Sequence, residues 1–305
     1  MNILIVRTDK LGDFITALPA IYILKHYDRE NKIFVCVAPI NASLAQECEF
    51  IDEVIVDDGG SVFALADTIA MCNIDVSVTM FSNTRVAFAQ FLAKIPRRIA
   101  PATKLAQIFY TKRVKQRRSE VKMAEFEYNI ELTKSLFSDI DTHYKSPLLK
   151  FKESVKNDKI CFHVGFGGSS EANWTLSEYE EFIRATLLKH EVVLTFGPDE
   201  EYLLEEMKKR LKDEPVEFYL SQDGLVEFAK YISCFKLFVS TSTGTYHLAS
   251  LVGTPTMTFF GDSLFASASR WKGVGDEALQ SHYMLPVDTK KRAIIFEKVK
   301  ERLLH

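Results

Sequence analysis

The stretch Asn2-Ile3-Leu4-Ile5-Val6, followed by Lys10-Leu11-Gly12-Asp13-Phe14, decides the fold. A short uninterrupted apolar run is typical of a strand that is buried on both faces, as in a parallel sheet. A glycine and a carboxylate come soon after the run, at the end of the sheet where open α/β proteins bind their ligands. We therefore predict that Asp13 is the reactive group. The alternative is that Asp13 only caps the helix that follows.

Composition predicts a globular protein of ordinary domain size. The chain has 305 residues, of which 47% are hydrophobic and 26% are charged, enough for two domains that each bury a core. The formal net charge of -3 argues against general nucleic-acid binding, which usually requires a basic domain. No nucleic-acid partner is expected.

The cysteines and the N-terminus bear on the compartment. Five cysteines are scattered without CxxC spacing, which fits reduced thiols and neither a disulfide framework nor a zinc site. The chain starts directly with the predicted strand and shows no secretory signal and no apolar stretch of membrane-spanning length. We expect a cytoplasmic protein.

Strand-like and helix-like segments alternate in both halves of the chain, as in parallel sheets with helical crossovers. Strands are predicted at 2–6, 33–38, 53–56 and 76–80, and, after a polar stretch, at 160–164, 191–196, 216–220, 237–240 and 256–260. This predicts an α/β protein with two Rossmann-like domains, 1–150 and 151–285, facing one cleft. The helical tail, 286–305, is expected to return to the first domain.

Two further stretches follow predicted strands. Residues 240–249, Ser-Thr-Ser-Thr-Gly-Thr-Tyr-His-Leu-Ala, open a helix with small hydroxyl residues and a glycine, which suits the binding of a diphosphate. An elaborate helix cap is the alternative. Residues 163–170 are rich in glycine and serine but lack the endings of a P-loop and of a dinucleotide fingerprint.

These stretches resemble glycosyltransferase family 9, the bacterial lipopolysaccharide heptosyltransferases. The segments that carry the resemblance span nearly the whole chain: 3–13 with 18–20, 50–54, 95–99, 167–174, 196–198, 242–249, 253–256 and 260–261. The resemblance implies the GT-B fold, with the acceptor on the first domain and the nucleotide sugar on the second. It also implies that Asp13 is a general base in a single inverting displacement.

The site residues are assigned accordingly. Donor-binding residues are expected to be Gly12, Gly168, Ser169, Ser170, Ser242, Thr243, Gly244, Thr245 and His247. Acceptor-binding residues are expected to be Lys10, Arg85, Arg113 and Arg117. The last two lie in a basic run, 112–118, that suits the carboxylates and phosphates of a lipopolysaccharide inner core. A solvated loop is the alternative for this run.

Neither a metal nor a cofactor is expected. The Asp139-Ile140-Asp141 sequence spells a DxD pair but falls in the polar stretch, and we interpret it as a solvated turn. Two positions depart from the family pattern. Ser242 stands where typical members carry Asp, and Glu171-Ala172-Asn173 precedes Trp174 where they carry Lys or Arg.

The sequence thus predicts an inverting glycosyltransferase that moves a heptose from ADP-heptose onto a lipopolysaccharide or lipooligosaccharide core. The acceptor would be lipid-linked at the inner membrane surface. Two alternatives stay open: a related transferase for another nucleotide sugar, and a catalytically silent nucleotide-sugar-binding homologue. A nicotinamide dehydrogenase is disfavoured because no intact GxGxxG follows the first strand.

Overall fold

Two six-stranded parallel sheets organise the chain in a computed structural model, which describes residues 1–103, 105–152, 154–166 and 173–304. Each sheet belongs to its own compact unit, Met1–Leu148 or Leu149–His305. The predicted α/β class with two Rossmann-like units is confirmed.

The first unit follows the predicted alternation of strands and helices. Its strands are β1 Asn2–Arg7, β2 Lys32–Val37, β3 Glu53–Val56, β4 Val76–Thr79, β5 Arg97–Pro101 and β6 Lys112–Val114. Its helices are α1 Leu11–Tyr27, α2 Ala42–Glu47, α3 Val62–Met71, α4 Thr84–Leu92 and α5 Glu125–Lys134. The sequence did not predict β5, β6 or α5.

The second unit repeats this organisation. Its strands are β7 Ile160–His163, β8 Val192–Phe196, β9 Val216–Leu220, β10 Leu237–Thr241, β11 Thr256–Gly261 and β12 Gln280–Leu285. Its helices are α6 Leu176–Leu187, α7 Glu201–Arg210, α8 Leu225–Ile232, α9 Gly244–Leu251, α10 Ala268–Trp271 and α11 Thr289–Leu303. The sequence did not predict β12, whose residues are mostly half-buried.

Both sheets have the same doubly wound topology. The strand orders are β3-β2-β1-β4-β5-β6 and β12-β11-β10-β7-β8-β9. The winding reverses between β1 and β4 in one sheet and between β7 and β10 in the other. Ligands of open α/β sheets bind beyond the carboxyl ends of the strands at these switch points. The segments after β1, β7 and β10 are the stretches singled out in the sequence.

The C-terminal helix α11 belongs to the second unit, whereas the sequence had placed it against the first. Val299 and Leu303 are buried in the core of the second unit, and Phe296 stacks on Phe182 of α6 with 4.5 Å between ring centroids. The apolar face of α11 therefore packs on its own unit. Within the described residues, no helix is long and apolar enough to cross a membrane.

Candidate active site

Asp13 lies in the first turn of α1, at the switch point of the first sheet. The helix begins at Leu11, so its N-cap is Lys10 and Asp13 is the third helical residue. The carboxylate is 22% exposed and accepts a hydrogen bond from Arg7 Nη2 at 2.5 Å. Asp13 is therefore held by an ion pair and is not the N-cap residue of α1. Gly12, beside it in the same turn, is half-buried.

Arg7, the last residue of β1, lies within ion-pair distance of three carboxylates. Its side chain is 2% exposed, and its Nε donates to Asp9 at 2.8 Å, while its Nη1 lies 3.7 Å from Glu125 Oε1. Burial by itself lowers the pKa of Arg7, but the charges of Asp9, Asp13 and Glu125 outweigh it and raise the pKa. Arg7 thus stays charged and positions Asp13. Arg7, Asp9 and Glu125 are not among the site residues predicted from the sequence.

Asp9 shares one edge of the Arg7 guanidinium with Asp13. Burial raises the pKa of Asp9 to about 6, the negative charge of Asp13 adds to this, and Arg7 opposes it. Because this pKa is above that of an unfolded aspartate, the folded state binds the proton more tightly. The stability that Asp9 contributes is therefore present at low pH and is lost as the pH rises through about 6.

We predict that Asp9→Asn gains stability relative to the wild type as the pH rises. The asparagine cannot ionise, so it avoids the cost of a charged, largely buried aspartate at high pH. Between pH 4 and pH 8 the difference in unfolding free energy should move by about 2 kcal/mol in favour of the variant. Urea unfolding of both proteins at the two pH values measures this. A difference that does not change with pH would contradict it.

Helix α5 supports the first turn of α1 from the side. Asn129, fully buried, donates to the Thr16 carbonyl oxygen at 3.0 Å, and the Thr16 hydroxyl donates to the Asp13 carbonyl oxygen at 2.7 Å. Glu125 opens α5 and is also buried. The backbone around Asp13 is thereby fixed by a helix that the sequence did not predict.

The basic run, residues 112–118 and hereafter the basic segment, is partly an ordered strand and not simply a solvated loop. Lys112–Val114 forms β6 at the edge of the first sheet, with Arg113 exposed. Arg117 is 80% exposed and pairs with Glu120 at 3.0 Å. Arg118 turns inward, where it binds Glu125 and Asn129. The segment therefore carries exposed cations at Arg113 and Arg117, and through Arg118 it also contacts the buried start of α5.

The other two predicted acceptor residues differ in their surroundings. Lys10 is exposed at the start of α1, three residues before Asp13. Arg85 lies at the start of α4 and forms an ion pair with the buried Asp57 and a hydrogen bond to the Gly60 carbonyl oxygen at 3.2 Å. The guanidinium of Arg85 is therefore already engaged within its own unit.

The start of α9 lies at the switch point of the second sheet, directly after the central strand β10. Thr243 is its N-cap in extended conformation, but the Thr243 side chain caps none of the first amides of α9. Its hydroxyl instead lies 2.9 Å from that of Thr245 and 3.4 Å from the Thr241 carbonyl oxygen. The amides at Gly244 and Thr245 thus open an uncapped helix, which attracts an anion.

His247 lies one turn into α9 and is buried. Its Nδ1 has no hydrogen-bond partner among the described residues, and burial lowers its pKa to about 4. The ring is therefore neutral at pH 7. It packs edge-on against Trp271, with 6.3 Å between centroids. Ser242, between β10 and α9, is tied by its amide to the Phe259 carbonyl oxygen at 2.9 Å.

The third predicted stretch begins at the end of β7. Gly168, Ser169 and Ser170 lie outside the described residues. Before them, His163 is buried, with its Nδ1 3.2 Å from the Thr195 hydroxyl and its Nε2 3.7 Å from Glu200. A Cβ on Gly165 would stand 1.9 Å from Glu200 Oε1, so a side chain at this position would displace Glu200.

Trp174 is a packing residue with a cation on its face. The ring meets Phe182, Phe259 and Phe296 edge-on in the core of the second unit. The Arg292 guanidinium of α11 lies 4.4 Å from the Trp174 ring centroid and donates to the Asn173 carbonyl oxygen at 2.8 Å. The cation that the family carries before this tryptophan is absent from the sequence there, but α11 brings another to Trp174.

The DxD sequence, Asp139-Ile140-Asp141, lies at the surface of the first unit. Asp139 accepts a hydrogen bond from the Tyr27 hydroxyl at 3.1 Å, and Asp141, 78% exposed, binds His143. Both aspartates are exposed, and Asp139 lies in a turn. Across the described ranges, no group of three or more histidine, cysteine, aspartate or glutamate side chains could hold a metal ion.

The two doubly wound units, one with an arginine-bound carboxylate and the other with an uncapped helix at its switch point, have the GT-B fold. The chain belongs to glycosyltransferase family 9 (heptosyltransferase), whose family model matches residues 62–292.

Relatives and solved structures agree with this membership. A putative glycosyltransferase of Haemophilus influenzae is 35% identical over 300 residues, covering 90% of this chain and 86% of the relative. Lipooligosaccharide heptosyltransferase 2 of Campylobacter jejuni is 23% identical, covering 89% and 85%. The structure of Escherichia coli ADP-heptose lipopolysaccharide heptosyltransferase II superposes with a TM-score of 0.79 at 17% identity, covering 100% and 99% of the two chains.

Proposed function

We propose that the protein transfers a heptose from ADP-heptose to a lipopolysaccharide or lipooligosaccharide core, with inversion at the anomeric carbon. The observation that carries the proposal is Asp13, held by the buried Arg7 at the switch point of the first sheet. The names of the Campylobacter and E. coli proteins support a heptose as the transferred sugar and a lipooligosaccharide or lipopolysaccharide as the acceptor. The name of the E. coli protein also supports ADP-heptose as the donor.

In the proposed reaction, Asp13 acts as the general base. Its carboxylate takes the proton from an acceptor hydroxyl while that oxygen forms a bond to the anomeric carbon of the donor sugar. The bond between this carbon and the diphosphate oxygen breaks, and ADP leaves with the bonding electrons. A positioned base contributes about 100- to 10,000-fold to such a step. Arg7 fixes the direction of the carboxylate without taking part in bond making.

The start of α9 would receive the charge that develops on the leaving diphosphate. Amides at Gly244 and Thr245 and the hydroxyls of Thr243 and Thr245 supply donors, and the helix dipole adds positive potential. His247 is neutral and buried, which suits a packing or hydrogen-bonding role beneath the phosphates. Gly168, Ser169 and Ser170 remain proposed donor-binding residues.

The donor assignment also has to accommodate Ser242 in place of an acidic residue. The Lys or Arg that typical family members carry before the tryptophan is also absent before Trp174. The proposed donor site therefore lacks one negative and one positive charge of the family pattern. Arg292 supplies a cation at Trp174, but it is paired with Glu178 at 3.3 Å. We propose that the paired loss preserves the balance of charge and with it the preference for ADP.

We predict that transfer survives chelation, because the leaving diphosphate is assigned to helix amides and hydroxyls. Initial rates measured with and without 5 mM EDTA, about a thousandfold excess over enzyme, should agree within about twofold. Loss of turnover that Mg²⁺ or Mn²⁺ restores would show that a cation carries the leaving-group charge.

Arg113 and Arg117 are proposed to attract the anionic acceptor. The double charge reversal Arg113→Glu/Arg117→Glu should raise the acceptor KM about tenfold and leave the donor Kd unchanged. The acceptor KM of the wild type should also rise with salt, because salt screens exposed charges beyond about 10 Å at 0.1 M. Lys208→Glu/Lys209→Glu on α7 is the matched control. Equal acceptor KM for both double variants would contradict the assignment.

The acceptor is proposed to be lipid-linked at the inner membrane surface. Leu105 and Ile108, on a short 3-10 helix that leads into β6, are 81% and 67% exposed. Exposed apolar side chains followed a few residues later in the chain by an exposed cation, Arg113, suit contact with an anionic lipid surface. This arrangement supports binding of the acceptor from the membrane by the first unit.

A further inference from the structure

We propose that Glu125 is a positioning residue that joins the basic segment to Asp13 through Arg7. The inference rests on the proposed role of Asp13 as the base and goes beyond it, because it assigns a task to a helix and a carboxylate that the reaction itself does not use.

Glu125 lies between two guanidinium groups. Its Oε1 binds Arg118 Nη1 and lies 3.7 Å from Arg7 Nη1. The exposed fractions of the side chains fall along the series, from 15% for Arg118 to 4% for Glu125 and 2% for Arg7. A buried carboxylate is stable only when it is paired, so Glu125 depends on both arginines. The chain of contacts runs from the basic segment inward to Asp13.

The geometry of Arg7 makes it sensitive to Glu125. Nε and Nη2, on one edge of the guanidinium, bind Asp9 and Asp13, and Nη1 faces Glu125. Removing the Glu125 charge leaves Arg7 with two carboxylates where it had three. Arg7 would then hold Asp13 more strongly and lose the contact that fixes its other side. The first change makes the Asp13 carboxylate less available to an acceptor proton, and the second lets the carboxylate turn away from the direction in which it would take that proton.

Arg118 provides a second contact with the same region. Its Nη2 donates to Asn129 Oδ1 at 3.2 Å, and Asn129 in turn donates to Thr16 of α1. An acceptor anion that pairs with Arg118 would compete with Glu125 for this cation. Acceptor binding at the basic segment would therefore change the charge around Arg7, so the base would respond to the acceptor.

The test compares Glu125→Gln with Glu131→Gln, the same change on the exposed face of α5, where Glu131 pairs with Lys134 at 2.6 Å. Glu125→Gln should lower kcat about tenfold, the scale of a displaced catalytic group, with acceptor KM and donor Kd within about threefold of wild type. Glu131→Gln should leave all three unchanged.

The decisive measurement repeats Glu125→Gln in an Asp13→Asn background under single-turnover conditions. If Glu125 acts through Asp13, the second substitution causes no further loss, whereas a general structural role lowers the rate equally in both backgrounds. Equal losses, or a Glu125→Gln kcat equal to wild type, would overturn the inference. A wild-type protein that transfers no sugar from any donor would instead refute the proposed function.

Thermal unfolding shows whether Glu125→Gln folds. If it does not, Arg118→Gln removes the other end of the same link at a less buried side chain and should give the same loss of kcat. Arg117→Gln, next to it in sequence but exposed and paired with Glu120, should change the acceptor KM and not kcat. Equal kcat for Arg118→Gln and wild type would overturn the inference.

Discussion

Asp13→Asn is expected to lower kcat by about a hundredfold or more, because the amide keeps the shape of the side chain and loses its basicity. The asparagine oxygen can still accept the hydrogen bond from Arg7 Nη2, so α1 and its first turn should stay in place. Donor Kd and the unfolding temperature should therefore stay near wild type. Steady-state kinetics, nucleotide-sugar binding and thermal unfolding together measure the effect.

Asp67→Asn on α3 is the matched control, since Asp67 is exposed and belongs to the same unit. It should behave as wild type in all three measurements. If Asp13→Asn keeps at least a third of the wild-type turnover, the carboxylate is not the base and serves only to hold Arg7 in place.

Gly244→Pro is expected to weaken donor binding by about 10- to 100-fold, since a charge-assisted hydrogen bond from one amide is worth about 1.5–3 kcal/mol. Gly244 is the first residue of α9, the helical position that best tolerates proline. The preceding Thr243, at φ -135° and ψ -179°, already has the extended backbone that proline requires before it. The substitution thus removes an amide while the helix is kept.

Gly244→Ala is its control, because alanine adds a methyl group and keeps the amide. Calorimetric titration with ADP and with ADP-sugars should show a much smaller loss for alanine than for proline. Equal losses for the two variants would mean that the space around Gly244 and not its amide matters, and no loss for either would place the diphosphate elsewhere.

Much of the fold could be predicted from the sequence because buried parallel strands are apolar runs. Strands β1 and β2 were predicted to within one residue at each end, and β3 was predicted with the bounds that it has in the structure. The missed elements lack this signal. Strand β6 is Lys-Arg-Val at a sheet edge, and β5 is Arg-Arg-Ile-Ala-Pro, so only the pairing of β5 with β4 and of β6 with β5 identifies them as strands.

Some residues of the candidate site could be predicted from the sequence, and others could not. Asp13 and the start of α9 follow strands and carry short motifs, so position and composition were enough to select them. Glu125 and Asn129 lie more than a hundred residues from Asp13 and become relevant only because α5 packs on α1. Acidic residues in the first turn, such as those of α5, are common to many helices and indicate no site by themselves. Asp9 could have been selected, since it lies in the short loop between β1 and the helix that carries Asp13.

One transfer experiment measures most directly whether the protein moves a heptose from ADP-heptose with Asp13 as the base. The protein is incubated in chelated buffer with a lipid-linked core that lacks the heptose, and with ADP-heptose or UDP-, GDP- and CMP-sugars in parallel. Mass spectrometry and NMR of the product should show a single added heptose, of inverted anomeric configuration, from ADP-heptose alone, formed about a hundredfold or more slowly by Asp13→Asn. A product from another nucleotide sugar, a retained configuration, or donor binding without any transfer would contradict the account.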